Sequence, residues 1–286
     1  MTWRVWLAFA ALCIIWGLPY FFIKLAVVEI SPAAVAWSRL ALGAAVLLPI
    51  AWRRGALIGI GRHARAILGF AVFELVIPFV LIAWGERWVS SSLTGILIAT
   101  VPLTVILLSP LFGAHEPLGW RRLLGLTGGF GGVLVLLGFD APGDSSWWLG
   151  ALSVMGGTLG YAVGALIVQQ HMRGVDQLGG VAASLAVAAI LLSPAAWWSA
   201  PAHTPSTTVI NSLLVLGIVC TALAMLLYFF LITHAGAARA AVITYVNPAV
   251  ATLLGVGVLH EPAGPGLGAG LALILTGSWL ATHRAR

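Results

Sequence analysis

Long apolar runs, separated by short polar connectors, fill almost the whole chain of 286 residues. Each run is about 20 residues long, which is the length at which one α-helix crosses the hydrocarbon core of a bilayer. The pattern therefore predicts an all-α membrane protein with ten transmembrane helices. These ten predicted spans cover, to within a few residues, 5–25, 32–52, 66–85, 90–113, 120–138, 147–170, 178–198, 209–233, 237–259 and 264–282.

One tripeptide, His-Glu-Pro, occurs twice, and each copy precedes a glycine-rich apolar run. The copies are residues 115–117 and 260–262, and Gly125 recurs as Gly270 at the same offset of 145 positions. This register predicts a duplicated unit. Each copy is expected to begin a helix, because proline suits the first turn and a carboxylate there meets the positive end of the helix dipole. Glycines at four-residue spacing predict that the fifth and tenth spans pack closely on each other or on a second subunit.

The odd number of spans in each unit predicts that two five-helix repeats, residues 1–143 and 144–286, are inverted relative to each other in the membrane. Arginines outside the apolar runs support this topology. With the amino terminus in the cytoplasm, eleven of them fall on the cytoplasmic side and one, Arg87, falls outside. This bias follows the positive-inside rule and predicts that both termini are cytoplasmic.

Composition excludes a water-soluble protein, because 61% of the residues are apolar and only 8% are charged. The net charge of +6 comes from arginines scattered between the runs, so no nucleic-acid partner is expected. Cys13 and Cys220 both lie in apolar runs, and we expect neither a disulfide framework nor a metal site. These features leave the bilayer and its short connectors as the place where function lies.

Catalytic motifs give little support to an enzyme. The chain has neither a phosphate-binding glycine loop nor a Gly-x-Ser-x-Gly motif. His171 and Asp176, separated by four residues, are the only suggestive spacing, and two polar residues in a connector reach it easily by chance. We expect that the protein is not an enzyme, with an intramembrane transferase as an alternative.

Three ionisable residues fall inside predicted spans: Lys24, Arg39 and Glu74. A charge facing lipid is costly, so each is a candidate for function. Lys24, at the end of the first span, is expected to reach the headgroups. Arg39 and Glu74 are expected either to pair, directly or through water, or to act in transport.

Kinked spans give the best pointer to a binding site. Pro102 and Pro248 lie in corresponding positions of the two repeats, one residue out of register, and broken helices at such positions often line the site of a transporter. Aromatic residues with polar tips lie nearby, and for each of them core packing and a solute site both stay open. These residues, with a neighbouring asparagine, are Trp16, Tyr20, Tyr161, Tyr228, Tyr245 and Asn247.

Several short motifs together resemble the EamA-type drug/metabolite transporter superfamily. Within it, the chain is most similar to the bacterial aromatic amino-acid exporters of the YddG type. The motifs are Trp16-Gly17, Lys24 at the end of the first span, Ser38-Arg39-Leu40 in the second, the proline of the fourth span, and Glu-Pro before the fifth and tenth spans.

The resemblance implies an exporter of the bacterial inner membrane, working as a monomer or weak homodimer without a cofactor. Spans one, three, four, six, eight and nine would enclose an apolar cavity, opened to either side by rocking of the two repeats. Its substrate would be an amino acid, aromatic or otherwise neutral; alternatives are other metabolites, nucleotide sugars and drugs. Carbonyls freed at Pro102 and Pro248, with the Asn247 amide, are expected to hold the zwitterion. The cavity candidates are Trp16, Tyr20, Glu74, Pro78, Thr100, Pro102, Tyr161, Tyr228, Tyr245, Asn247 and Pro248.

Overall fold

The computed structural model describes residues 2–113, 119–139, 145–235 and 243–282, and every regular element in these ranges is helical. Helices suit this composition because each one satisfies its own backbone hydrogen bonds, which lipid cannot do. In chain order the α-helices are α1 Trp3–Gly17, α2 Pro19–Ala26, α3 Pro32–Arg53, α4 Ala64–Phe70, α5 Ile77–Gly85, α6 Ser91–Ile98, α7 Val101–Leu108, α8 Trp120–Phe139, α9 Ser145–His171, α10 Gln177–Trp198, α11 Thr207–Leu214, α12 Ala224–Ala235, α13 Ile243–Gly257 and α14 Pro265–Thr282.

Seven helical stretches within the described ranges are long and apolar enough to cross a membrane. Three further apolar helices, α8, α13 and α14, lie where the sequence predicts the fifth, ninth and tenth spans. The all-helical membrane class is therefore confirmed, whereas the inverted arrangement of ten spans stays a prediction. The seven stretches are Trp3–Ala26, Pro32–Arg53, Ile60–Gly85, Ser91–Phe112, Ser145–His171, Gln177–Trp198 and Thr207–Leu231.

Several of these stretches are interrupted near their middle. The first breaks between α1 and α2, and the fourth breaks between α6 and α7, where Pro102 lies in the first turn of the second piece. The third and seventh stretches contain π-helical turns, Ala71–Val76 and Val215–Leu223. The expected symmetry of the prolines is wrong in one respect. Helix α13 continues through Pro248 without a break, so only the fourth stretch is broken at a member of the proline pair.

Helices α8 and α14 pack backbone to backbone through their glycines. A Cβ atom added to Gly277 would lie 2.5 Å from the backbone nitrogen of Gly129, and one added to Gly132 would lie 2.9 Å from the carbonyl oxygen of Gly270. A side chain at either position would force the helices apart. The predicted packing of the fifth and tenth spans on each other is confirmed.

The connectors form two ends of the bundle. At the first, which we call the Glu261 end, the carboxylate of Glu29 accepts hydrogen bonds from Ser206, and the hydroxyl groups of Ser31 and Ser199 lie 2.7 Å apart. The Glu261 end comprises residues 27–31, 86–90, 199–206 and 258–264. At the opposite end, the Arg173 end, Gly179 lies directly against the backbone of Ala56. The Arg173 end comprises residues 54–63 and 172–176.

The predicted role of the repeated tripeptide is wrong for its second copy. Helix α14 begins at Pro265, three residues after Pro262, so Glu261 does not begin it. His260, at φ 55°, turns the chain sharply and sends the Glu261 side chain towards a different helix. The first copy, residues 115–117, lies outside the described residues.

Candidate functional site

A cavity of about 730 Å³ lies in the middle of the bundle. Its walls come from both halves of the chain, including the six spans that the family resemblance implies. Arg39 on α3 and Leu185 on α10 add two helices to that set. Of the described residues, none on α8 or α14 reaches the cavity, which fits their role as a packed pair at the side of the bundle.

Most of the sequence candidates line this cavity. The structure brings together Trp16, Tyr20, Glu74, Pro102, Tyr161, Tyr228, Asn247 and Pro248. The side chain of Tyr245 lies outside the described part of the chain. That any of these residues binds a solute stays a prediction.

Pro78 and Thr100 lie outside the lining. Pro78 packs on α9, where a Cβ atom added to Gly160 would lie 2.9 Å from its ring. Thr100 is fully buried and its hydroxyl donates to the carbonyl oxygen of Leu97 at 2.6 Å. Pro78 lies in the first turn of α5 and Thr100 between α6 and α7, whereas their neighbours Phe79, Ala99 and Val101 line the cavity.

Aromatic rings form the apolar wall. The rings of Trp16 and Tyr228 lie 5.0 Å apart, and Phe79 and Phe229 complete the wall beside them. Sequence reasoning missed both phenylalanines because it considered only aromatic side chains with a polar tip. The position of Phe79 directly after Pro78, at a predicted kink, is the signal that would have found it.

Arg39 faces the cavity and is held from two sides. Its Nε donates to Thr221 Oγ1 at 2.9 Å, and its guanidinium carbon lies 4.0 Å from the ring centre of Phe79. The expected direct pair with Glu74 is absent from the hydrogen bonds and ion pairs of the described residues. Arg39 contacts Thr221, on the π-helical turn of the seventh stretch, and Phe79 instead, and it still lines the cavity.

Glu74 lies on the π-helical turn of the third stretch and also lines the cavity. Its carboxyl group lies against Gly164, where any side chain would collide with it. Within the described chain, Glu74 Oε2 has no hydrogen-bond partner. A buried carboxyl oxygen without a partner is costly, so this position favours either a protonated acid or a cationic group of a ligand.

The Asn247 amide is already engaged. In the orientation that satisfies its neighbours, its nitrogen donates to the carbonyl oxygens of Ile243 at 3.0 Å and Cys13 at 3.2 Å. At the break near Pro102, the carbonyl of Ala99 accepts from Ser278. The amide nitrogen is thus used within the protein, and its bond to Cys13 joins α13 to α1; that Asn247 holds the zwitterion stays a prediction.

Among the described residues, those that line the cavity reach the Arg173 end and not the Glu261 end. The lining includes residues 172–176 of the Arg173 end. Asp176 itself caps α10 by accepting from Gly179 N at 2.9 Å, which gives it a structural role without His171. On the opposite side, Gly95 packs on Tyr20 and Ala251, so that the helices meet and close the cavity.

Polar contacts hold the Glu261 end together. The ammonium of Lys24 donates to the carbonyl oxygens of Glu86 at 2.6 Å and Val89 at 2.8 Å. The expectation that it reaches the headgroups is wrong, because it satisfies carbonyls left without partners at the end of α5. Glu261 accepts four hydrogen bonds from the first turn of α6, from the backbone and hydroxyl groups of Ser91 and Ser92.

The described residues include no group of three or more His, Cys, Asp or Glu side chains that could hold a metal ion. The charged side chains in the middle of the cavity are Arg39 and Glu74, beside the aromatic wall, whereas Arg173 and Asp176 line it at the Arg173 end.

Comparison with known proteins gives one consistent family. The EamA-like transporter family matches the chain twice, over residues 3–138 and 148–282. The uncharacterized inner membrane transporter YedA of Escherichia coli K12 is 29% identical over 259 residues, covering 89% of this chain and 82% of YedA. The uncharacterized transporter YvbV of Bacillus subtilis is 25% identical over 285 residues, covering 99% and 93%.

A solved crystal structure shares the fold, with a TM-score of 0.68 at 20% identity, covering 99% of this chain and 97% of its own. None of the names of these relatives states a substrate. Together with the apolar helices, the matches identify a multi-pass membrane transporter. The chain belongs to the EamA-like transporter family.

Proposed function

We propose that this transporter exports amino acids, aromatic and other neutral ones, by alternating access of its two repeats around the central cavity. One observation supports the proposal most strongly. Arg39 and Glu74 line the same apolar cavity but are not bonded to each other: Arg39 donates to Thr221, and Glu74 Oε2 has no partner in the described chain. A small zwitterion with an apolar side chain needs this combination: a cation for its carboxylate, an anion for its ammonium and an apolar wall.

The shape of the cavity supports such a ligand. Its volume of about 730 Å³ lies in the range of roughly 300–1,000 Å³ that is usual for small-molecule sites. The rings of Trp16 and Tyr228 offer flat apolar surface to an aromatic side chain. Because Asn247 is engaged, Arg39 replaces it as the proposed partner of the carboxylate.

The distribution of arginines supports an orientation for this proposal. The positive-inside bias predicts that the Arg173 end faces the cytoplasm. The conformation described here would then be inward-facing, ready to load solute from the cytoplasm, and export would require the Glu261 end to open.

Counterflow of radiolabelled phenylalanine in proteoliposomes tests the proposal. We expect vesicles preloaded with unlabelled phenylalanine to accumulate label, without chemical change, which also excludes a transferase. Phenethylamine lacks the carboxylate and 3-phenylpropionate lacks the ammonium. Each should compete at least about tenfold more weakly, because a hydrogen bond to a charged group is worth roughly 1.5–3 kcal/mol.

Variants assign the two ends of the ligand. Glu74→Gln should remove the preference for phenylalanine over 3-phenylpropionate. The control Glu29→Gln removes an exposed carboxylate at the Glu261 end and should leave this preference unchanged. Absence of counterflow for every neutral amino acid, with a folded protein, would overturn the proposal.

A second candidate is export of cationic drugs. The buried carboxyl of Glu74 beside aromatic rings favours a lipophilic cation as well as an ammonium group. Competition by a quaternary ammonium compound that is stronger than competition by phenylalanine, and unaffected by Arg39→Gln, would favour this candidate.

A further inference from the structure

The carboxyl group of Glu86 lies completely inside the protein at the Glu261 end. The residue is fully buried, and within the described chain neither of its carboxyl oxygens has a hydrogen-bond partner. Glu86 directly follows α5, the last helix of the third candidate span, and does not line the central cavity. Its position at the closed end, away from the proposed solute, asks for a separate explanation.

The neighbours of Glu86 offer it charge but no hydrogen bond. Lys24 directs its ammonium to the carbonyl oxygens of Glu86 and Val89, and not to the carboxyl group. Both oxygens of Glu261 are used by α6. Arg39 is the other charged residue that acts on Glu86, and Tyr20 is the neighbouring phenol. An ionised Glu86 would therefore be a buried charge without a direct partner, whereas a protonated one is neutral.

Burial raises the pKa of the Glu86 carboxyl well above its ordinary range, and Glu261 adds to this rise, whereas Lys24 and Arg39 oppose it. A group with a raised pKa in the closed state stabilises that state fully below the ordinary carboxyl pKa. This contribution is lost as pH rises through the raised pKa.

We propose that Glu86 is a proton-binding site, and that the bound proton is the ligand that holds the Glu261 end closed. When this end opens, water reaches the carboxyl group and the proton leaves to the solution on that side. Before the end closes again, the carboxylate must take up a proton, because the closed packing gives it no other partner. Closure is thereby linked to the pH of the medium at the Glu261 end.

The proton site at Glu86 is distinct from Glu74, although Glu74 lies within the third stretch and Glu86 directly follows it. Glu74 faces the cavity and the proposed solute, whereas Glu86 is buried at the Glu261 end. The inference rests on the proposed alternating access and does not use the identity of the solute.

Infrared spectroscopy of the purified protein reports the proton directly. In the Glu74→Gln background, which removes the other buried carboxyl group, we expect the C=O stretching band of a protonated carboxyl at neutral pH, and we expect Glu86→Gln to remove it. An unchanged band in Glu86→Gln would overturn the proton site. Failure of phenylalanine counterflow would leave this band untouched, so the two proposals fail separately.

Distance measurements report whether the Glu261 end is open or closed. Spin labels on Val28→Cys and Ala263→Cys, both exposed at the Glu261 end, would be placed in a background in which Cys13 and Cys220 are alanine. We expect the population with the longer distance to grow as pH rises in the otherwise unchanged protein and in the Glu86→Asp control. In Glu86→Gln, which resembles the protonated form, the short distance should dominate at every pH. The same pH dependence in Glu86→Gln and the parent would overturn the link between protonation of Glu86 and closure of the Glu261 end.

Discussion

The carboxylate of Glu261 lies 2.7 Å from the backbone nitrogen of Ser91, although the two residues are 170 positions apart. A connector in the second half of the chain thus caps a helix in the first half. The free N–H groups at a helix start need such acceptors, and a negative charge there also meets the positive end of the helix dipole. This contact fastens the two halves together at the end where the cavity is closed.

Glu261→Ala removes four hydrogen bonds from the start of α6. We expect a loss of about 1–3 kcal/mol in the free energy of unfolding, since a cap and a charged hydrogen bond are each worth an amount in this range. Thermal unfolding of the purified protein in detergent measures it. The exposed cap variant Glu29→Ala is the control and should lower the midpoint less. Equal midpoints for the two variants would contradict the role assigned to Glu261.

Gly255 makes room for this cap. A Cβ atom at Gly255 would collide with both Glu261 and the hydroxyl of Ser92, whereas one at Gly257 would meet nothing within 4 Å. We expect Gly255→Ala to lower the unfolding midpoint clearly and Gly257→Ala to leave it nearly unchanged. Comparing the two in one detergent tests the prediction, which fails if the two alanine variants behave alike.

The interface between α8 and α14 gives a second matched pair. A side chain at Gly277 would meet the backbone of Gly125 and Gly129, but one at Gly268 on the same helix would meet open space. We expect Gly277→Leu to reduce the yield of folded protein severalfold in size-exclusion chromatography, and Gly268→Leu to be tolerated. A monodisperse Gly277→Leu protein would show that the helices can separate at little cost.

Lys24 closes the turn after α5 through its two carbonyl contacts. Lys24→Met keeps most of the side-chain volume and removes both hydrogen bonds. We expect it to lower the unfolding free energy by about 1.5–3 kcal/mol, the usual value for a hydrogen bond to a charged group. Chemical unfolding monitored by tryptophan fluorescence provides the measurement. If Lys24→Met were as stable as the parent, the ammonium would be a surface group, as its place at the end of the first span suggested.

The contact between Glu29 and Ser206 should depend on pH. Hydrogen bonds from the Ser206 hydroxyl and backbone N–H lower the pKa of the Glu29 carboxyl. Its stabilising contribution is therefore present above the ordinary carboxyl pKa and is lost as pH falls through the lowered one. The difference in unfolding midpoint between the parent and Glu29→Gln should shrink on acidification. A difference that stays constant between neutral pH and about pH 3 would argue against the contact.

The accuracy of the sequence predictions differs between helices. The apolar run over residues 178–198 predicts a helix that the structure gives as Gln177–Trp198, because a run of that length in lipid has no other way to satisfy its backbone. Within the run over residues 237–259, the described helix Ile243–Gly257 continues through Pro248, where the sequence predicted a broken helix.

At the cavity, the sequence predicted which residues lie there better than it predicted the hydrogen bonds that they make. Trp16, Tyr161 and Tyr228 were predicted as polar-tipped aromatic residues around the kinked spans, and all three line the cavity. The engagement of Asn247 with Cys13 was not foreseen, because it depends on how closely α1 and α13 approach.

The sequence by itself determined that this protein is helical, lies in a membrane and is a transporter of the EamA-like family. These properties follow from the length and spacing of apolar runs, and from short motifs, which are local features. Only the tertiary structure decided that Arg39 bonds to Thr221, 182 positions away, that Lys24 caps α5, and that Glu261 caps α6. Such contacts arise when helices from different parts of the chain pack together. A buried polar group takes whichever partner that packing brings within reach.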